Sequence, residues 1–275
     1  MALNVIINGK PYKAEKGEYI LDVCRRNRIV IPTFCHHEGL PGLGACRLCV
    51  VEVNEGSGNK VVVSCVYPLS RNCKVFTESE KIQSIRKTIL SMLKTRAPEG
   101  DRLASLCQIY GVAGNGRFTV SKAEKGSSAS EKRLSSACIL CGLCVEACTN
   151  LGTGAISTVG RGVVKKISTP YNEPSADCIG CGSCASVCPA KAIECSETKG
   201  TRSIWGRKFK LLCCASCGKT FATEEEYAFA LKKSEREIKD SKQPTAMQPN
   251  LPLCDVCRKK KNADVFAAAF GARTH

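Results

Sequence analysis

Two stretches constrain this chain more than anything else in it: CILCGLCVEACT at 138–149 and CIGCGSCASVCP at 178–189. Each reads C-x2-C-x2-C-x3-C, and the second ends in the proline typical of bacterial two-cluster sites. Three thiolates two residues apart wrap a loop around three corners of a cubane, and the fourth, on the following helix, reaches the other cluster. The spacing therefore assigns one 4Fe–4S cluster to Cys138, Cys141, Cys144 and Cys188, and a second to Cys178, Cys181, Cys184 and Cys148. Zinc knuckles would use paired C-x2-C hooks, without a triple run and trailing fourth cysteine. Gly142, Gly180 and Gly182 suit backbone that passes close to sulfur. Between the motifs, AISTVGRGVVKKI predicts two short strands around a Gly-Arg-Gly turn.

These eight are part of 21 cysteines in 275 residues, which supply nearly 8 points of the 43% hydrophobic content. What remains is thin material for several separate cores, the situation in which small domains rely on disulfides or metals. The N-terminus turns polar within ten residues, so no secretory leader is expected, and no run approaches the roughly 18 apolar residues of a membrane span. Cysteines in such a chain are expected to ligate metal in the cytoplasm. The formal charge of +16 would suggest a nucleic-acid binder. A four-thiolate site around zinc or an oxidised iron–sulfur core carries about −2, so four sites bring the assembled chain to roughly +8.

Upstream, Cys35, Cys46, Cys49 and Cys65 are spaced C-x10-C-x2-C-x15-C. Plant-type 2Fe–2S ferredoxins use C-x4-C-x2-C with a distant fourth cysteine, so this is a lengthened first loop. The preceding NVIINGKPYKAEKGEYILDVCRRNRIVIP reads strand, turn, strand, helix. Together they predict a β-grasp 2Fe–2S domain over residues 1–77. His36 and His37 adjoin a ligand, and histidine replaces cysteine in Rieske centres. With four cysteines placed, the imidazoles are expected to be solvated or to support the ligands. Cys24 and Cys73 read as small core residues.

The order of a C-x10-C-x2-C two-iron domain and tandem 4Fe–4S motifs resembles the N-terminal region of the large peripheral subunit of respiratory complex I. It is also similar to the electron-relay parts of NAD-linked multimeric hydrogenases and formate dehydrogenases, electron-bifurcating ones included. The resemblance covers residues 1–195, with one departure. Those proteins usually insert an H-x3-C-x2-C-x5-C cluster domain, whereas here no histidine lies between His37 and His275 and only Cys107 between Cys73 and Cys138. Residues 78–134 are expected to be helical and then a linker. TESEKIQSIRKTILSMLKTRAPEG predicts a capping box at Thr77 and Glu80, with Ile82, Ile85, Ile89, Met92 and Leu93 on the inner face. DRLASLCQIYG predicts a second helix burying Leu103, Leu106, Cys107 and Tyr110, and 113–133 reads as a Gly/Ser/Lys linker.

The tandem 4Fe–4S domain is placed at 135–200 and a zinc-ribbon-like module at 201–275, making an α+β chain of four parts. In the module, Cys214-x2-Cys217 and Cys254-x2-Cys257 form two hooks for one zinc ion. The 36 residues between the hooks exceed ordinary ribbon spacing and require an insertion. TEEEYAFALKKSEREIKDSK supplies it, with a capping box at Thr223 and Glu226 and a helix over 224–241. A tail of this kind resembles that of ferredoxin-like subunits of formate hydrogenlyases. Cys213 is a bystander in this reading, and Cys195 a core residue.

No Rossmann or P-loop fingerprint and no nucleophile–base constellation occurs in the sequence, so no catalytic residues are expected. Three clusters and one redox-silent zinc describe an electron relay. The resemblance implies partners on either side: an NAD(P)H-oxidising flavoprotein subunit, and a hydrogenase, formate dehydrogenase or ferredoxin-exchanging module. A free-standing polyferredoxin and an iron–sulfur nucleic-acid-binding protein are the alternatives.

Overall fold

The computed structural model describes residues 2–112, 136–240 and 252–270. The expected linker at 113–133 lies outside the described residues, as does most of the return segment at 243–252. The chain divides into two compact units, Met1–Asn172 with Ser183–Ile193, and Glu173–Gly182 with Glu194–His275.

The first unit begins with a hairpin, β1 (Ala2–Ile7) against β2 (Lys10–Glu15), followed by α1 (Ile20–Arg26). Strands β3 (Val50–Asn54), β4 (Asn59–Val63) and β5 (Cys73–Phe76) complete a five-stranded sheet in the order β2-β1-β5-β3-β4. The β1–β5 pair is parallel and the others antiparallel, the β-grasp arrangement. Alternation along the strands puts Val5, Ile7, Val51, Val53 and Val75 on the face covered by Ile20, Leu21, Val23 and Cys24 of α1. Cys24 and Cys73 are buried there, and burial pushes their thiols up to about 12 and about 11. They are core residues.

Strand β3 is buried on both faces, because α2 (Glu80–Arg96) lies over its second side. Here the structure corrects two details of the sequence reading. The N-cap is Ser79, whose hydroxyl accepts from the Ile82 N–H at 3.3 Å. Thr77 is tied instead to Asn8, which bonds both its backbone N–H and its hydroxyl. The fully buried positions are Ile82, Arg86 and Leu90, while Met92 is 48% exposed. The helix is thus rotated from the purely apolar stripe so that Arg86 enters the core. Helix α3 (Asp101–Ile109) packs on α2 and buries Leu103 and Cys107. Removing the cap with Ser79→Ala is expected to cost about 1 kcal/mol, readable as a lowered midpoint in chemical denaturation.

Beyond the undescribed segment come α4 (Leu143–Leu151), a small hairpin of β6 (Ser157–Val159) and β7 (Lys166–Ser168), and the short α5 (Ser183–Ser186). The hairpin is the one expected around Gly-Arg-Gly.

The second unit is built on a four-stranded antiparallel sheet of β8 (Cys195–Thr198), β9 (Thr201–Ile204), β10 (Arg207–Cys213) and β11 (Thr220–Thr223), in the order β11-β10-β9-β8. The capping box forms as expected. The Thr223 hydroxyl accepts from the Glu226 N–H at 3.0 Å, and Glu226 accepts from the Thr223 N–H at 3.3 Å. It starts α6 (Glu224–Asp240). A further helix, α7 (Asp255–Phe270), was not anticipated and carries Cys257 in its first turn. Cys195 is exposed, not core, because β8 is the edge strand and every residue of it faces solvent. No helix among the described residues is long and apolar enough to cross a membrane.

Candidate metal centres

The first cysteine set sits at the end of the β-grasp sheet. Cys35, Cys46, Cys49 and Cys65 are all buried. The Cys46 N–H points at the Cys35 sulfur from 3.2 Å, and the Phe34 N–H at the Cys46 sulfur from 3.4 Å. Hydrogen bonds from the Cys46 and Cys65 side chains pull the Cys35 pKa down to about 2, and one from Cys65 pulls Cys49 to about 6. The same bonds, with burial, push Cys46 and Cys65 up. Four sulfurs sharing protons in one dry site fit a cationic iron core, which displaces those protons on binding. Gly42, in the loop between Cys35 and Cys46, lets this set close: a Cβ there would stand 2.6 Å from the Cys65 carbonyl oxygen. Gly42→Ala is expected to cost about 2 kcal/mol and to lower 2Fe–2S occupancy, measured by EPR against protein concentration.

Both nitrogens of His36 face away from a ligand role. Arg25 donates to Nδ1 at 2.7 Å, and Asp22 lies 3.6 Å from Nε2. Burial, then the Arg25 charge, hold the imidazole pKa below its ordinary value, so the ring is neutral.

The backbone around Cys49 is held by Arg86, whose side chain is 0% exposed. Its Nε donates to the Leu48 carbonyl at 3.1 Å and its Nη2 to the Val50 carbonyl at 2.9 Å. Nη1 reaches Glu78 at 2.7 Å and the Tyr110 hydroxyl at 3.1 Å, joining strand, α2 and the end of α3. Apolar periodicity could not flag this residue; its one sequence signal is the i+4 spacing Ile82, Arg86, Leu90.

In the same unit, Cys138, Cys141, Cys144 and Cys188 line one recess whose walls also include Ile167 and Ile193. Burial pushes Cys141 to about 11 and Cys144 to about 12. The Ala192 N–H donates to the Cys188 sulfur at 3.3 Å. Four sulfurs on one apolar recess fit a cubane core. Cys141 belongs to a buried cluster that also contains Cys35, Cys46, Phe34, Leu90, Leu103, Cys107, Ile139 and Leu143. The Cys35 charge is felt at Cys141. Cysteines of the two-iron and four-iron motifs thus share one buried core with residues of α2 and α3.

The other tandem set is divided, with Cys148 and Cys184 in the first unit and Cys178 and Cys181 in the second. The Cys148 sulfur lies 3.1 Å from the Thr153 hydroxyl.

Within the second unit, the ligand atoms of Cys214, Cys217, Cys254 and Cys257 all lie within 4.8 Å of one another. The Cys217 and Cys254 sulfurs are 3.7 Å apart. A tetrahedron of sulfurs about 2.3 Å from one ion has edges of about 3.8 Å, so the set fits a single ion. Backbone N–H groups hold the knuckle: Cys214 N–H to the Lys219 carbonyl at 2.8 Å, Ala215 N–H to Pro252 at 2.9 Å, and Gly218 N–H to Cys214 at 2.9 Å. A backbone hydrogen bond from Cys254, then others from Cys217 and Ser216, bring the Cys214 pKa to about 6. Cys213, one residue earlier, is exposed and outside the set.

Comparison with known proteins bears on two of these regions. Residues 1–80 match the family model described as a 2Fe-2S iron-sulfur cluster binding domain, and residues 137–192 that of a 4Fe-4S dicluster domain. The NADH-ubiquinone oxidoreductase 75 kDa subunit of Reclinomonas americana is 32% identical over 216 residues, covering 74% of this chain and 31% of that protein. The NADP-reducing hydrogenase subunit HndD of Solidesulfovibrio fructosivorans is 32% identical over 211 residues, covering 70% and 36%. The chain thus spans about a third of the length of these curated relatives. Among solved structures, a chain of the NAD+-reducing NiFe hydrogenase in the H2-reduced state superposes with a TM-score of 0.52 at 27% identity, over 61% of this chain and 74% of that one. The chain carries a 2Fe–2S domain and a 4Fe–4S dicluster domain, and its relatives are subunits of NADH- or NADP-linked oxidoreductases and hydrogenases.

Proposed function

We propose that this chain is the electron-relay subunit of a cytoplasmic multi-subunit oxidoreductase. It would pass electrons between an NAD(P)H-oxidising flavoprotein subunit and a hydrogenase, formate dehydrogenase or ferredoxin-exchanging module. The observation that carries this reading is the shared core of Cys35 and Cys141. A relay needs one-electron centres close to one another, and this core brings cysteines of the two motifs into one apolar layer. Bound clusters would supply the one-electron chemistry, and the protein's part is to hold, space and insulate them.

In this reading residues 1–77 hold a 2Fe–2S cluster through Cys35, Cys46, Cys49 and Cys65. Residues 78–134 bridge to the tandem 4Fe–4S domain at 135–200. There Cys138, Cys141, Cys144 and Cys188 hold the first four-iron cluster, and Cys178, Cys181, Cys184 and Cys148 the second. Helices α2 and α3 stand where similar proteins insert a further cluster domain, and they wall the route with Leu90, Leu103 and Cys107. Residues 201–275 form a zinc-ribbon-like module, with Cys214, Cys217, Cys254 and Cys257 holding one structural zinc. The sulfur spacing supports a single ion there.

Size-exclusion chromatography of the natively expressed chain tests the placement. Co-elution with a flavin-containing partner at the mass of a complex is expected. Elution of a reducible single chain free of partners would overturn it in favour of a stand-alone polyferredoxin.

A further inference from the structure

The loop carrying Cys178 and Cys181 is gripped by side chains of the sheet behind it. Arg207 directs Nη1 at three backbone carbonyls, those of Ser175 at 2.8 Å, Ala176 at 3.0 Å and Cys178 at 2.7 Å. Thr223 donates its hydroxyl to the Ile179 carbonyl at 2.6 Å, and Arg202 donates to the Gly180 carbonyl at 2.8 Å. Phe209, fully buried, lies against Gly180 and under the Arg207 guanidinium, 4.7 Å from its ring centre. These side chains come from β9, β10 and β11. Two of these strands, β10 and β11, also lead into the four-cysteine knuckle. Strand β10 runs from Arg207 and Phe209 directly to Cys214, and β11 leaves the knuckle at Thr220 to reach Thr223. From Phe209 to Cys214 is about 17 Å of extended chain.

We propose that the C-terminal module is a clamp on the second 4Fe–4S cluster. Its four-cysteine metal holds β10 and β11 in register, and these strands with β9 fix the loop that presents Cys178 and Cys181. This rests on the cluster and zinc assignments above. Two consequences follow from the geometry. Without metal at Cys214, Cys217, Cys254 and Cys257, the knuckle loses its anchor, because such sites contribute folding energy outright. Thr223 and Phe209 are then free to leave the loop. Second, Arg202 and Arg207 put positive charge on the loop that presents Cys178 and Cys181, and a cluster held there would gain negative charge on reduction. Glu197 and Glu226 partly balance Arg202, at 2.8 Å and 3.7 Å. Arg207 is therefore the clearer positioning residue, and its charge favours the reduced state. All of these hydrogen bonds run to the chain's own loop.

The test uses the full-length holoprotein and EPR-monitored redox titration, with chelator challenge followed by iron analysis. In Cys254→Ser, loss of the second 4Fe–4S cluster to chelator is expected to be ~10-fold faster or more, with the 2Fe–2S and first 4Fe–4S signals retained. Arg207→Met keeps the knuckle intact, so it tests the clamp without unfolding the module. It is expected to lower the midpoint potential of the second cluster alone, and Arg207→Lys to restore it in part. Unchanged cluster loss and unchanged potential in these variants would overturn the clamp while leaving the relay reading intact. A wild-type chain with one 4Fe–4S signal would overturn both.

Discussion

Arg86→Met is expected to destabilise the first unit by about 3 kcal/mol and to empty the 2Fe–2S site before the first 4Fe–4S site. The guanidinium is fully buried and bonds the carbonyls on either side of Cys49, at Leu48 and Val50. A methionine fills similar volume but leaves both carbonyls without a donor, at about 1–3 kcal/mol for each buried orphan. Glu78 is half exposed and rehydrates, so its lost ion pair adds little. Arg86→Lys should recover only part of the loss, because an ammonium lacks the planar fork that reaches two carbonyls at once. Chemical denaturation gives the stability, and the ratio of 2Fe–2S to 4Fe–4S EPR intensity gives the selective effect. A variant with wild-type stability and an unchanged ratio would show that Arg86 does not hold the Cys49 segment.

Gly180→Ala is expected to be comparably damaging, and confined to the second cluster. Gly180 has φ +68, and a Cβ there would meet Phe209 Cγ at 2.5 Å. The left-handed backbone costs an L-residue about 1–2 kcal/mol, and forcing a methyl into a packed ring about 1–3 kcal/mol more. Because Phe209 is 0% exposed, the ring has no solvent side to move into. The loop between Cys178 and Cys181 would shift instead, and the second 4Fe–4S signal should fall while the others persist. Adding Phe209→Leu should restore part of that signal, since the clash partner shrinks. If the double variant is no better than Gly180→Ala alone, the contact with Phe209 is not the constraint.

Features set by local spacing were legible in the sequence. The tandem motifs, the C-x10-C-x2-C loop and the Thr223–Glu226 capping box follow from a few neighbouring residues. Cys24, Cys73 and Cys107 were recognisable as core because each stands at an inward position of a periodic segment. What escaped depends on partners distant in sequence. Thr77 and Ser79 both look like caps before the same helix, and only the bonds from Asn8 to Thr77 decide between them. Arg86 breaks an apolar stripe and reads as solvated until its acceptors, carbonyls on another element, are seen. Cys195 alternates like a core residue but lies on the edge strand β8, where strand order decides exposure. The grip of Arg202, Arg207 and Thr223 on the 175–180 carbonyls was invisible for the same reason: periodicity assigns faces and cannot name a backbone acceptor.

Metal analysis with EPR on the reduced full-length chain tests the account most directly. Clusters of two, four and four irons beside one structural zinc predict about ten irons and one zinc per chain. Three distinct paramagnetic centres should appear on reduction, none of them sensitive to zinc as a redox partner. About fourteen irons without zinc would contradict it, turning the Cys214, Cys217, Cys254 and Cys257 knuckle into a fourth redox centre.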